Sequence, residues 1–192
     1  MPTEARVIEH QPPGEVYLSA AEIAVRVHEL GAAIATDYRG REPVLVASLK
    51  SSTVFLADLS RALPILHTID VIEMAAYGDG RSGGVRLLKD LDVQIEDRDV
   101  LLVEDVVDTG LTLAFLTRTF AKRNPASIAA VTLLDRPYRR LVENLGLRYV
   151  GFTVPDELFA GYGLGLEEQW RALPDLHTVP AEALPEAATD AA

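Results

Sequence analysis

The stretch Val100-Leu101-Leu102-Val103-Glu104-Asp105-Val106-Val107-Asp108-Thr109-Gly110-Leu111-Thr112 decides how this chain is read. Its four opening residues suit a strand buried on both faces, and the spacing from Thr112 to about Lys122 predicts a helix. A helix N-terminus presents unpaired backbone N–H groups and a partial positive charge, which suits a phosphate. Gly110 permits a tight turn and close backbone approach, while Thr109 and Thr112 add hydroxyl donors. The adjacent carboxylates Glu104 and Asp105 suit the vicinal hydroxyls of a sugar, or Mg²⁺. Asp108 sits within the turn, close to whatever is attached to that sugar. A plainer reading makes Asp105 and Asp108 helix caps and Gly110 a turn residue. The whole block behind a buried strand outweighs it. The block is not a Walker A loop, because no Gly-Lys-Ser/Thr is present.

Outward from this stretch the chain alternates two periodicities. Ser19-Ala20-Ala21-Glu22 is a capping box that opens a helix, with Ile23, Val27, Leu30, Ile34 and Tyr38 on one stripe. Pro43 to Ser48 reads as a buried strand, Val54 to Leu63 as a helix, and Ile69 to Ala76 as a strand. Ile128 to Leu134 and Tyr149 to Val154 add two more strands. Short buried strands alternating with helices predict an α/β fold, a mostly parallel sheet flanked by helices. Such sheets bind ligands beyond the carboxyl ends of their strands, here just after Ala47, Ala76, Val103 and Leu134.

Composition narrows the function further. The 192 residues include 18 Lys+Arg against 29 Asp+Glu, a net charge of −11, which disfavours nucleic acid and anionic membranes as partners. With no cysteine, disulfides, Cys-based zinc sites and thiol nucleophiles are excluded. No apolar run approaches a membrane span, Met1–Ala20 lacks a signal pattern, and the expected compartment is the cytoplasm. His10, His28, His67 and His177 show no metal-ligand spacing. Residues 1–15 read as loosely ordered, 16–179 as a single domain, and 180–192, rich in Ala, Pro and acid, as a disordered tail.

The block 104–112 resembles the phosphoribosyl pyrophosphate (PRPP) motif of type I phosphoribosyltransferases, and other segments resemble the hypoxanthine-guanine branch of that family. Val46 to Ser52 with Phe55-Leu56-Ala57-Asp58-Leu59 is similar to its pyrophosphate loop and following helix. Tyr77-Gly78 and Val85 to Leu91 are similar to its mobile loop, and Leu133 to Pro137 with Arg139-Arg140 to its base-side segment. Val150-Gly151-Phe152, Pro155-Asp156, Gly161-Tyr162-Gly163 and Arg171-Ala172-Leu173-Pro174 are similar to its hood. The resemblance runs from about Ser19 to Leu176 and implies a small hood formed by N- and C-terminal segments.

It also implies a reaction, Mg²⁺-dependent transfer of phosphoribose from PRPP to a 6-oxopurine with release of pyrophosphate. Glu104 and Asp105 would hold the ribose hydroxyls near the metal, and Asp108, Thr109, Gly110, Leu111 and Thr112 would bind the 5′-phosphate. Asp108 would accept the proton of the purine. Lys50, Ser51 and Arg171 are implied for pyrophosphate, with a cis peptide at Leu49-Lys50. Arg136, Leu158 and Phe159 are implied for the base. Ala76 and Tyr77 would open the mobile loop, and Gly78 to Gly84 would form a lid that keeps water from the ribose cation. A dimer or tetramer is expected on the same ground.

Five positions depart from the family pattern, all around the base and pyrophosphate. Ser51 stands for a glycine, Ala76 for a serine, Arg136 for a lysine, Leu158 for a stacking aromatic and Gly165 for an aspartate. They imply retained PRPP binding with altered base preference or weaker catalysis. Two alternatives accompany the main reading. One is transfer to xanthine or a pyrimidine, and the other is a regulator that uses the same fold to sense PRPP or nucleotide while binding nucleic acid. The net charge and Asp108 argue against the regulator.

Overall fold

The computed structural model describes residues 12–77, 84–166 and 168–180. Residues 1–11 of the expected loose N-terminal segment (1–15), 78–83 of the expected lid (78–84) and 181–192 of the expected tail (180–192) lie outside these residues.

The elements run β1 (Val16–Leu18), α1 (Ala20–Asp37), β2 (Val44–Ser48), α2 (Ser52–Ala62), β3 (Thr68–Tyr77) and β4 (Gly84–Lys89). There follow β5 (Asp99–Val107), α3 (Leu111–Ala121), β6 (Ser127–Asp135), β7 (Leu147–Thr153), β8 (Phe159–Ala160) and β9 (Leu176–Thr178). Six strands form one sheet in the order β4-β3-β2-β5-β6-β7. The pairings of β2 with β3 and β5, β5 with β6, and β6 with β7 are parallel, so the expected sheet is present. Edge strand β4 returns antiparallel on β3. It was not anticipated as a strand, since a turn-rich stretch precedes it and only Leu87 of its side chains packs on the core.

The pleat sends alternate residues of the central strands to opposite faces. Leu45, Ala47, Leu101 and Val103 pack with Ile23, Val27, Leu30 and Ile34 of α1 and Phe55 and Leu59 of α2. Val44, Val46, Val100 and Leu102 pack with Leu113, Leu116 and Phe120 of α3 on the other face. Both faces are covered, which is why these strands are continuous apolar runs. The capping box is present, with Ser19 N donating to Glu22 Oε2 at 2.8 Å and Glu22 N to Ser19 Oγ at 3.3 Å.

A second sheet, β1-β9-β8, is antiparallel and joins the two chain ends over the carboxyl edge of the first. These strands are two or three residues long, too short for a period to show in sequence. The hydrogen bond from Thr178 N to Glu15 O, 3.0 Å, extends the pairing to the segment before β1.

Candidate functional site

Two cavities lie beyond the carboxyl ends of the parallel strands. The first, about 310 Å³, is lined by Ser48, Ser51, Ser52 and the run 104–110 with Thr112 and Leu113. The second, about 280 Å³, shares Ser51, Asp105 and Val106 with the first and adds Arg136, Leu158, Phe159, Gly165 and Arg171 among its walls. The structure therefore brings Ser51, Glu104, Asp105, Asp108, Thr109, Gly110 and Thr112 together with Arg136, Leu158, Phe159 and Arg171 on one continuous surface, while Lys50 and Leu111 line neither cavity.

In the first cavity β5 runs directly into the turn before α3. Gly110 has φ +82°, the left-handed conformation that favours glycine, and it occupies the N-cap position with no side-chain cap on the helix. A Cβ here would lie 2.6 Å from Leu145 Cδ1. Leu111 N donates to Thr109 Oγ1 at 3.4 Å, and Gly110, Thr112 and Leu113 at the start of α3 line the cavity, an arrangement suited to a phosphate. Glu104 and Asp105 are both buried, and each meets a serine. Ser48 Oγ donates to Glu104 at 3.2 Å, and Ser52 Oγ to Asp105 at 2.9 Å. Sequence reasoning passed over these serines as side-chain partners, although both fall in the quoted 46–52 loop.

Burial and the neighbouring charge of Asp105 push the Glu104 carboxyl up to about 8, against a smaller opposing effect of the Ser48 hydroxyl. Among the described residues no cationic side chain offsets that cost at Glu104, so a cation arriving with the ligand fits the donor set. Among the described residues there is no cluster of three or more His, Cys, Asp or Glu able to hold a metal alone. Two carboxylates completed by substrate oxygens and water suit Mg²⁺, which is held in this way more often than in all-protein cages.

Lys50 and Arg171, distant in sequence, are joined through Glu168. Its carboxylate lies 3.0 Å from Lys50 Nζ and 3.3 Å from Arg171 Nη2. Arg171 Nη1 also donates to Gly163 O at 2.9 Å. Glu168 was not a sequence candidate, and no local signal marks it. The Leu49-Lys50 peptide is cis, as the resemblance implies. Ser51 has ordinary right-handed helical angles, φ −64° and ψ −42°, so glycine is not required there. Gly165, in contrast, leaves no room, since a Cβ would meet Gln169 O at 2.6 Å and Arg171 Cγ at 2.7 Å.

On the base side Arg136 is buried, with its backbone N donating to Val107 O at 3.0 Å. Its guanidinium pairs with Asp156 and lies 3.5 Å from Asp108. Leu158 lines the second cavity, while Phe159, also lining it, packs its ring on Tyr17 at 4.8 Å between centroids. Tyr162 is a buried residue whose hydroxyl donates to Asp58 at 2.6 Å, and burial raises its phenol. Ala76 and Tyr77 end β3, next to the undescribed residues 78–83. No helix of the described residues is long and apolar enough to cross a membrane.

Residues 15–164 match the phosphoribosyl transferase domain model. The chain is 42% identical over 178 residues to a hypoxanthine-guanine phosphoribosyltransferase of Mycobacterium bovis, covering 87% of this chain and 88% of that one. It is 42% identical over 164 residues to a hypoxanthine phosphoribosyltransferase of Escherichia coli, covering 83% and 92%. A crystal structure of a hypoxanthine phosphoribosyltransferase from Staphylococcus aureus superposes with a TM-score of 0.87 at 36% identity, covering 95% of this chain and 100% of that one.

Proposed function

The chain belongs to the phosphoribosyl transferase domain family, and on that premise we propose that it moves phosphoribose from PRPP to a 6-oxopurine, hypoxanthine or guanine. The products are inosine or guanosine monophosphate and pyrophosphate. The observation that carries the reading is the junction of the two cavities along Ser51, Asp105 and Val106, one at the N-terminus of α3 and the other at a buried arginine.

In this reaction the bond from ribose C1′ to the pyrophosphate oxygen breaks as the purine N9 bonds to C1′. The purine proton goes to Asp108, and a group in that role contributes about 10²–10⁴-fold in rate. The N–H groups opening α3 hold the 5′-phosphate, and Thr109 and Thr112 add hydroxyl donors. Glu104 and Asp105 orient the ribose hydroxyls and are the residues that would hold Mg²⁺. That ion supplies charge neutralisation for the leaving pyrophosphate. Lys50 and Arg171 bring further positive charge to the same oxygens, and Arg136 donates to the 6-oxo group. The resident compartment proposed is the cytoplasm, and the working form a homo-oligomer.

A second reading, another base such as xanthine, is favoured by Leu158 and Arg136 in the second cavity. One assay separates the two. Purified protein, PRPP and Mg²⁺ are mixed in parallel with hypoxanthine, guanine, xanthine, adenine or uracil, and nucleotide is followed by chromatography. Inosine or guanosine monophosphate as main product supports the first reading. Another nucleotide supports the second, and no nucleotide from any base overturns both.

A further inference from the structure

Arg136 is a nearly buried guanidinium shared by two carboxylates. Nη2 donates to Asp156, while Nη1 lies 3.5 Å from Asp108 Oδ2, beyond ordinary hydrogen-bond length. Asp108 comes from the turn after β5, Arg136 from the end of β6, and Asp156 from the turn after β7. Arg139 borders both acids, with its Nη1 4.0 Å from Asp108 and 3.9 Å from Asp156. The cluster thus alternates in sign across three adjacent strand ends.

A guanidinium beside a single carboxylate settles into a two-pronged pair with it. Without Asp156, Arg136 would close on Asp108 in this way and occupy the oxygens that the reaction needs. Asp156 opposes that collapse by taking the other end of the fork. The consequence is visible at both groups. Asp108 Oδ1 and Arg136 Nε are each enclosed and have no hydrogen-bond partner among the described residues. Polar atoms left this way are uncommon in folded proteins and ask for an explanation. Here it is that both residues keep hydrogen-bonding capacity that no protein group uses.

We propose that Asp156 is a positioning residue, which holds Arg136 by Nη2 so that the guanidinium stays off Asp108 and faces the 6-oxo edge of the base. The device depends on arginine, because a lysine ammonium is a compact point charge without a rigid fork to share between two acids. The inference rests on the proposed transfer reaction and adds to it a residue that no role in that reaction had claimed.

The test compares binding of inosine monophosphate with binding of purine riboside 5′-monophosphate, which differs only in lacking the 6-oxo group. The unaltered chain prefers inosine monophosphate. Asp156→Asn loses about tenfold of that preference, the scale of a hydrogen bond to a charged group. Asp156→Glu keeps most of it. Affinity for ribose 5-phosphate, which reports on the loop before α3 and on folding, stays within about twofold, since Asp156 does not line that cavity. In an Arg136→Lys background, Asp156→Asn has no further effect. The inference alone is overturned if Asp156→Asn keeps the full preference, if its loss is equal in both backgrounds, if ribose 5-phosphate binding falls in parallel, or if the unaltered chain binds both nucleotides equally. An unaltered chain that binds neither nucleotide overturns the proposed reaction and this inference together.

Discussion

The two cavities share a wall, yet they are made in different ways. The first is almost wholly one continuous run, 104–110 with Thr112 and Leu113, and its polar groups are backbone N–H, short hydroxyls and two buried acids. The second is gathered from separate segments, and its cations Arg136 and Arg171 are aimed by Asp156 and Glu168. A site written into a strand–turn–helix unit changes only if the backbone changes. A site held by ion pairs between distant segments changes with one side chain. Four of the five departures from the family pattern, Ser51, Arg136, Leu158 and Gly165, line the second cavity. In the proposed reaction, phosphoribose binding falls to the part set by the backbone and base choice to the part set by side chains.

The strongest test of that contrast is Asp108→Asn, at a residue that belongs to the first cavity's run but, in the proposed reaction, acts on the base. Turnover should fall about 10²–10⁴-fold, while PRPP affinity changes only a few-fold. Equal loss in both measurements would break the division between the two halves. Next in size is Glu104→Gln. The folded carboxyl titrates near 8 against an ordinary value of 4.5, so the folded chain holds a proton that the unfolded chain releases. Stability from this group is intact below about pH 4.5 and declines as pH rises toward 8. The glutamine variant should flatten that decline and melt at a higher temperature than the unaltered chain at pH 9, in the absence of metal. Thermal melts at pH 5, 7 and 9 read the outcome directly.

Gly165→Asp, which restores the acid of the family pattern, should not restore a family-like site. Its Cβ would meet a backbone oxygen and the stem of Arg171, so it should destabilise the chain by about 1–3 kcal/mol and weaken pyrophosphate binding. A stable variant that binds pyrophosphate normally would show the hood to be softer than its packing suggests. The smallest effect is expected at Glu168→Gln. Its carboxylate is 63% exposed, so its pairs contribute little to stability. Removing it frees Lys50 and Arg171, and pyrophosphate should bind no more than a few-fold tighter in a calorimetric titration.

The same contrast explains what could be read from the residues. The parallel sheet and α1 with its capping box are local patterns, present within a few residues of their expected bounds, whereas β5 runs on past Val103 to Val107, so that Glu104 and Asp105 stand on the strand and the turn is confined to 108–110. The start of α2 differs, at Ser52 rather than Val54, because the polar first turn of that helix carries Ser52 inward to Asp105. Lys50 and Arg171 were expected together, but Glu168, which joins them, was not, since nothing in a single segment announces a partner more than a hundred residues away. Asp156 was seen only as part of a quoted motif. Its contact with Arg136 exists because β6 and β7 are neighbours, a fact of topology and not of spacing.

The pairing of β1 with β9 has a temporal consequence. As a nascent chain emerges, β1 to β7 and the turn before α3 leave the ribosome before Phe159 to Ala160 and Leu176 to Thr178 do. The first cavity can therefore assemble while β8 and β9 are still inside the ribosome, and the second is completed last, when β9 pairs with β1.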